Sequence, residues 1–120
     1  MTTPKLDIQE RRIDDVTVLT LTGQIVLDDG DRLLRKCIHD LVDEGRPQIV
    51  LDLAGVDYVD SSGIGMIAAK LKTVRERGGD LKLVHLTSRG QRLFGMMKLL
   101  LAFETFEDEA SAVASFASKG

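Results

Sequence analysis

The feature that most constrains the fold is the segment Ile49–Ala69, in which a buried strand leads into a helix. Its first residues, Ile49–Leu53, form an almost continuous apolar run, which is typical of a strand buried on both faces of a sheet. A turn-rich bridge is expected over Ala54–Val59, followed by the cluster Asp60–Gly63, which reads Asp-Ser-Ser-Gly. The apolar residues after it have the spacing of one helix face: Ile64, Ile67, Ala68, Leu71 and Val74.

The rest of the chain alternates strands and helices around this segment. Strands are predicted at Leu6–Arg12, at Val16–Leu21 (ended by Gly23), at Leu81–Leu86 and near Phe103. Helices are predicted from Asp28–Asp31 to Gly45, from Asp60 to Gly78-Gly79, from Ser88 to about Leu101 and from about Glu107 to Ala117. This order predicts an α/β fold with a mixed, mostly parallel sheet of four to five strands and about four helices. Residues 1–120 are expected to form a single domain with its core at about 6–117.

Composition argues against several classes of function. The net charge of −3 argues against direct nucleic-acid binding, because contacts to phosphates require clustered Lys and Arg. Cys37 is the sole cysteine, which excludes an internal disulfide and a multi-cysteine metal site. The amino-terminal residues do not resemble a signal peptide, and the longest apolar stretch, Leu93–Phe103, is too short to span a bilayer. A cytoplasmic protein without membrane association is therefore expected.

The Asp-Ser-Ser-Gly cluster has two interpretations. Asp and Ser are favoured N-cap residues, so Asp60, Ser61 and Ser62 can simply begin a helix. Alternatively, Ser62 is a phosphoacceptor at the helix N-terminus, near N–H groups that lack intrahelical partners. A phosphoryl group there would add bulk and negative charge to the surface where a partner docks, next to the negative charge of Asp60. The cluster follows a central strand, and the working sites of open parallel sheets lie beyond the carboxyl ends of their strands.

Enzymatic interpretations have less support. Gly63–Ala68 fits a loose G-x-G-x-x-A pattern, but a dinucleotide site places its first glycine directly after the strand. His39 and His85 lack the surrounding pattern of a serine hydrolase or a metal site, and no phosphate-binding G-K-[ST] loop is present. No catalytic residue, metal or cofactor is therefore predicted. The apolar stretch Leu93–Phe103 is either a well-buried third helix or a patch that binds a partner.

Several of these features together resemble the STAS domain, above all that of bacterial anti-sigma factor antagonists. They are Gly23 after a first long strand, the strand Ile49–Leu53, the sequence Val59–Gly65, and Gly78-Gly79 before Leu81–Leu86. The resemblance covers the chain from about Leu6 to Phe116, and Asp-Ser-Ser-Gly-Ile-Gly is its most specific part.

The resemblance implies a partner switch. Such proteins bind an anti-sigma factor that is also a serine kinase, which frees the sigma factor; phosphorylation ejects the antagonist, and a phosphatase restores it. By position in the motif, Ser62 is the implied phosphoacceptor. The implied partner-binding residues are Asp60, Ser61, Ser62, Gly63, Ile64 and Asp28. Many relatives carry an acid shortly after the equivalent of Gly23, whereas this chain has Gln24-Ile25-Val26 there and its acids at Asp28-Asp29.

Two other functions remain open. One keeps the fold but makes the protein an accessory or scaffold subunit of a transport or signalling complex. The other is a nucleotide-binding domain, against which the missing lysine-containing loop argues.

Overall fold

The computed structural model describes residues 6–27, 30–88, 91–92, 95 and 102–117. The elements in chain order are β1 (Leu6–Ile13), β2 (Val16–Ile25), α1 (Gly30–Asp43), β3 (Gln48–Val59), α2 (Ser61–Glu76), β4 (Asp80–Val84), β5 (Thr105–Phe106) and α3 (Glu109–Ala117). The strands form one sheet in the order β1-β2-β3-β4-β5. β1 is antiparallel to β2, and the other neighbouring pairs are parallel. The predicted mixed, mostly parallel α/β fold is confirmed.

Three helices are described where about four were predicted, because the predicted third helix lies mostly outside the described residues. Within that segment, Ser88, Gln91, Arg92 and Gly95 are helical. The apolar stretch Leu93–Phe103 also falls largely outside the described residues, although Phe103 itself is buried in the main core. Among the helices that the structure describes, none has the length and apolar character needed to cross a membrane.

The central strands are buried on both faces, as the apolar run Ile49–Leu53 predicted. Because side chains alternate along a strand, neighbouring residues contribute to two separate cores. The larger core joins the sheet to α1 and α2 and includes Leu19, Leu21, Ile49, Leu51, Leu34, Ile38, Ile67 and Leu71. The smaller core joins the opposite face to α3 and includes Val16, Val18, Val50, Val84, Ala112 and Phe116.

A fully buried lysine in β4 attaches α3 to the sheet. The Lys82 Nζ donates a hydrogen bond to Ser115 Oγ at 2.6 Å and lies 4.1 Å from the centre of the Phe116 ring. The exposed carboxylate of Glu104 lies 3.5 Å from the same nitrogen. A buried ammonium group needs such partners, because its desolvation is otherwise too unfavourable. These contacts hold α3 on the face of the sheet that α1 and α2 leave open.

Two of the expected boundaries in the sheet are wrong, because β2 and β3 are longer than the sequence pattern indicated. β2 does not end at Gly23 but continues to Ile25, and Gly23 takes a φ of 116° beside a shift in register. Residues Ala54–Val59 are not a bridge but the second half of β3, since Gly55 pairs with Thr22 and Val59 with Ile25. Glycine tolerates the positive φ, so the irregularity is absorbed within the strand.

Two further boundaries differ for local reasons. β4 ends at Val84 rather than Leu86, because His85 takes a φ of 60° and turns the chain out of the sheet. The last helix begins at Glu109 rather than Glu107, since Asp108 precedes it and its Oδ1 accepts a 2.7 Å hydrogen bond from the Ser111 N–H. That hydrogen bond lowers the pKa of the exposed Asp108 carboxyl, as expected for an N-cap acid.

Two glycines allow the helix N-termini to approach the end of β2 closely. A Cβ added at Gly63, in the first turn of α2, would lie 2.5 Å from the Ile25 carbonyl oxygen. A Cβ added at Gly30, the first residue of α1, would lie 2.1 Å from the Gln24 carbonyl oxygen. Both distances are too short for a carbon and a backbone oxygen, so larger residues would push these helices away from the strand.

We therefore predict that Gly63→Ala lowers the free energy of unfolding by about 1–3 kcal/mol, the usual cost of overpacking. The matched control is Gly65→Ala in the same helix, where the added Cβ meets nothing within 4 Å. Alanine is the better helix former, so the control should raise stability by about 0.5–1 kcal/mol. Urea denaturation measures both changes, and equal stability of the two variants would contradict the close packing at Gly63.

Candidate functional site

Asp60 connects the start of α2 to the end of β2. It has an extended backbone and is the N-cap of α2, and its Oδ1 accepts a 2.8 Å hydrogen bond from the Gly63 N–H. Its Oδ2 accepts a second hydrogen bond, at 3.0 Å, from the Leu27 N–H. Its own N–H donates to the Ile25 carbonyl oxygen at 3.2 Å. One residue therefore caps the helix and also anchors the chain that leaves β2.

Ser62 lies in the first turn of α2 and donates a hydrogen bond to an acid of α1. Its Oγ donates to Asp31 Oδ2 at 3.2 Å, and the Ser62 side chain is half-buried, whereas its neighbour Ser61 is exposed. Asp31 is 2% exposed, and its Oδ1 is buried without a hydrogen-bond partner among the described residues. Asp31 was not predicted to be a site residue, although the acids around the start of α1 were predicted to begin a helix.

The N-termini of α1 and α2 give this site its electrostatic character. Asp31 follows the first residue of α1, and Ser62 follows the first residue of α2. The positive ends of both helix dipoles favour negative charge at these positions, which helps to stabilise the buried Asp31 carboxylate. An anion added to Ser62 would lie at the positive end of the α2 dipole. It would also meet the carboxylates of Asp31 and Asp60.

Exposed apolar side chains lie at the same edge of the sheet. Leu27 follows β2, Leu33 lies in the first turn of α1, and Tyr58 is near the end of β3. They are 61%, 46% and 45% exposed, and within the part of the chain that the structure describes they are the large apolar side chains most open to solvent. We refer to Leu27, Leu33 and Tyr58 as the apolar rim. Leu33 could have been noticed in the sequence because it falls outside the apolar face of α1.

The structure brings some of the predicted site residues together and leaves others apart. Asp60, Ser61 and Ser62 form one turn at the carboxyl edge of the sheet, where the sequence predicted it. Gly63 and Ile64 are buried: Gly63 lies against the end of β2, where a side chain would not fit, and Ile64, only 1% exposed, packs in the main core. Asp28 lies outside the described residues.

The arrangement gives no support to nucleophilic or dinucleotide chemistry. The His39 Nε2 lies 3.2 Å from Asp43 on α1, and the His85 Nδ1 lies 3.0 Å from Asp52, whereas the Ser62 hydroxyl is held by a carboxylate. Gly63 and Gly65 lie within α2 rather than in a turn directly after a strand.

Cysteine and metal chemistry are no better supported. Burial raises the pKa of the half-buried Cys37 thiol, which disfavours the nucleophilic thiolate. Among the residues that the structure describes, no group of three or more His, Cys, Asp and Glu side chains could hold a metal ion.

Comparisons with known proteins agree on one family. The family model of the STAS domain matches residues 7–112. BtrV of Bordetella bronchiseptica, by its name a candidate anti-sigma factor antagonist, is 27% identical over 105 residues, which cover 88% of this chain and 90% of BtrV.

Two solved structures have the same fold. The crystal structure of an anti-sigma factor antagonist from Mycobacterium paratuberculosis has a TM-score of 0.84 at 20% identity, over 98% of this chain and 100% of its own. SpoIIAA, a Bacillus cell fate determinant solved in its phosphorylated form, has a TM-score of 0.72 at 17% identity, over 92% of this chain and 99% of its own. With these folds and a family model that matches most of its length, the chain belongs to the STAS domain family.

Proposed function

We propose that this protein is an anti-sigma factor antagonist, a non-enzymatic regulator whose binding to its partner is controlled by phosphorylation of Ser62. The partner is an anti-sigma factor with serine kinase activity, whose capture releases a sigma factor for transcription. Phosphorylation of Ser62 by that kinase dissociates the complex, and a phosphatase returns the protein to the unphosphorylated form that binds. Relatives with this name and the STAS fold support the role, and SpoIIAA is a domain of this fold that carries a phosphoryl group.

The observation that carries the proposal is the position of the Ser62 hydroxyl. It lies at the N-terminus of a 16-residue helix, half-buried, at the edge where the ends of β2 and β3 meet the N-termini of α1 and α2. Ser62 is thus close enough to the surface for a kinase to reach, yet its hydroxyl is held in one orientation by Asp31. This arrangement presents a defined acceptor without a histidine that would make it a nucleophile.

A phosphoryl group at this position alters binding through charge. It adds about −1.5 to −2 charges and three acceptor oxygens at neutral pH. The carboxylates of Asp60 and Asp31 are already there, so the turn becomes strongly anionic. A partner that fits the neutral serine would have to accommodate bulk and charge together, and an unmatched buried charge in an interface costs several kcal/mol.

The apolar rim explains how a partner would gain affinity at this edge. Protein–protein interfaces place large apolar and aromatic anchors at the centre of the contact and polar groups around them. Leu27, Leu33 and Tyr58 supply such anchors near a polar turn that carries the phosphoacceptor. Leu27 is fixed directly to this turn by its N–H bond to Asp60.

The proposal is tested with variants of Ser62 in binding to the partner. The wild type is used to capture the kinase from lysate of its own cells, and the kinase is then purified. We expect Ser62→Ala to bind it as tightly as wild type and to resist release by ATP. Ser62→Asp should bind about ten- to a hundredfold more weakly, which corresponds to about 1.4–2.8 kcal/mol of like-charge repulsion. Isothermal titration calorimetry measures both affinities.

The matched controls are Ser61→Ala and Ser61→Asp, at the exposed neighbouring serine. They should leave ATP-dependent release intact and change affinity far less than the Ser62 variants. Wild-type affinity of Ser62→Asp would contradict the switch. Recovery of the wild type only in a stable, ATP-insensitive assembly would favour an accessory subunit instead.

We also predict that the apolar rim contributes to the affinity for this kinase. Leu27→Ala, Leu33→Ala and Tyr58→Ala should each weaken binding by about tenfold, the usual effect of truncating an anchor residue, because each removes apolar area from the contact. Their thermal stability should change little, because these side chains are exposed. Arg77→Ala, at the opposite end of α2, is the control and should bind like wild type. Unchanged affinity of all three rim variants would place the docking surface elsewhere.

A further inference from the structure

We infer that Asp31 is a positioning residue for Ser62 and that it makes the first turn of α1 respond to phosphorylation of that serine. Phosphorylation would then change the shape of the docking surface as well as its charge. The biological role of this coupling rests on the proposed function. The coupling itself involves only Asp31 and Ser62 of this chain, so it can be measured without the kinase.

The Asp31 side chain is buried and hydrogen-bonded to Ser62. The residue is 2% exposed, and its Oδ2 accepts the 3.2 Å hydrogen bond from Ser62 Oγ, while Oδ1 has no hydrogen-bond partner among the described residues. A buried carboxylate is stable only when hydrogen bonds or favourable charges replace its lost hydration. The Ser62 hydroxyl is therefore a substantial part of what keeps the Asp31 side chain in place.

Phosphorylation reverses this interaction. In the kinase step, Ser62 Oγ forms a bond to the γ-phosphorus of ATP, the bond from that phosphorus to the bridging oxygen breaks, and ADP leaves. The hydroxyl proton passes to a base, so the former donor becomes an ester oxygen that can only accept. The phosphoryl oxygens are anionic acceptors, and the carboxylate is also an anionic acceptor. Two groups that attracted each other now repel at close range.

The backbone connects Asp31 to the apolar rim. The Asp31 N–H donates to the Val26 carbonyl oxygen at 3.1 Å, and the Leu27 N–H donates to Asp60 Oδ2 at 3.0 Å. Leu33 lies two residues beyond Asp31 in the same helical turn. Because Gly30 packs against the Gln24 backbone, the first turn of α1 has little room to move toward the sheet. Repulsion from Ser62 therefore displaces this turn outward and shifts Leu33 with it.

A double-mutant cycle tests this coupling in the full chain. The four proteins are wild type, Asp31→Asn, Ser62→Asp and the double variant, and urea denaturation gives the equilibrium constant of unfolding for each. Asparagine has the size of aspartate but carries no charge and can donate a hydrogen bond to the new carboxylate. We expect Ser62→Asp to raise the unfolding constant about tenfold more in the wild-type background than in the Asp31→Asn background.

The matched cycle combines Asp31→Asn with Ser61→Asp, at the exposed serine, and should be additive within about twofold. Equal effects of Ser62→Asp in both backgrounds would overturn the inference. If Asp31 contributed only to stability, Asp31→Asn would be less stable than wild type, but the effects of Asp31→Asn and Ser62→Asp on unfolding would be additive. That result would also overturn the inference.

A second measurement keeps the inference testable if Asp31→Asn does not fold. Phosphoserine is incorporated at position 62 of the otherwise wild-type chain, and backbone amide shifts are compared with those of the unmodified protein. We expect large changes at Asp31, Arg32 and Leu33 as well as at residues 61–64. Changes confined to the start of α2 would contradict transmission to α1.

The proposed function and this inference can fail separately. If cells never phosphorylate Ser62, the proposed function fails, but the coupling between Asp31 and Ser62 stands. If cells phosphorylate Ser62 but no coupling is measured, only this inference fails.

Discussion

The two hydrogen bonds accepted by the Asp60 carboxylate determine how the edge that carries Ser62 is built. One caps α2 through Gly63, and the other fixes Leu27 after β2, so a single side chain sets the position of the helix relative to the sheet. The absence of a side chain at Gly63 completes this arrangement, because a Cβ there would collide with the Ile25 carbonyl oxygen. The location of Ser62 follows directly, since it is the second residue of a helix whose start is fixed on both sides.

The residues that determine the fold are largely separate from the turn that is proposed to control partner binding. The two cores lie on opposite faces of the sheet, and the larger one ends at Ile25, Val59 and Ile64, next to the turn that carries Ser62. At that edge the side chains are of a different kind: two carboxylates, two hydroxyls and the exposed apolar rim. A phosphoryl group can therefore be added there without entering a core. The interaction that it must disturb is the hydrogen bond between Ser62 and Asp31, which links α2 to α1.

The sequence predicts those features that depend on neighbours in the chain. The start of α2 was predicted correctly because capping by Asp60 involves residues within one turn. The second half of β3 was missed because Ala54–Val59 gains its extended structure from pairing with β2, which local propensity does not reveal. Asp31 was not identified as a site residue because it meets Ser62 across 31 positions of sequence. The predictions that concern Asp28 and most of Leu93–Phe103 fall outside the described residues.

The central claim is that Ser62 is a regulated phosphoacceptor rather than a helix-capping serine alone. Peptide-mapped mass spectrometry of the protein isolated from its own cells, in growth and under stress, tests this claim most directly. The account predicts a phosphoryl group on Ser62, not on Ser61, with an occupancy that changes between the two conditions. An unmodified Ser62 in every condition, with the protein held in a stable complex, would contradict the claim.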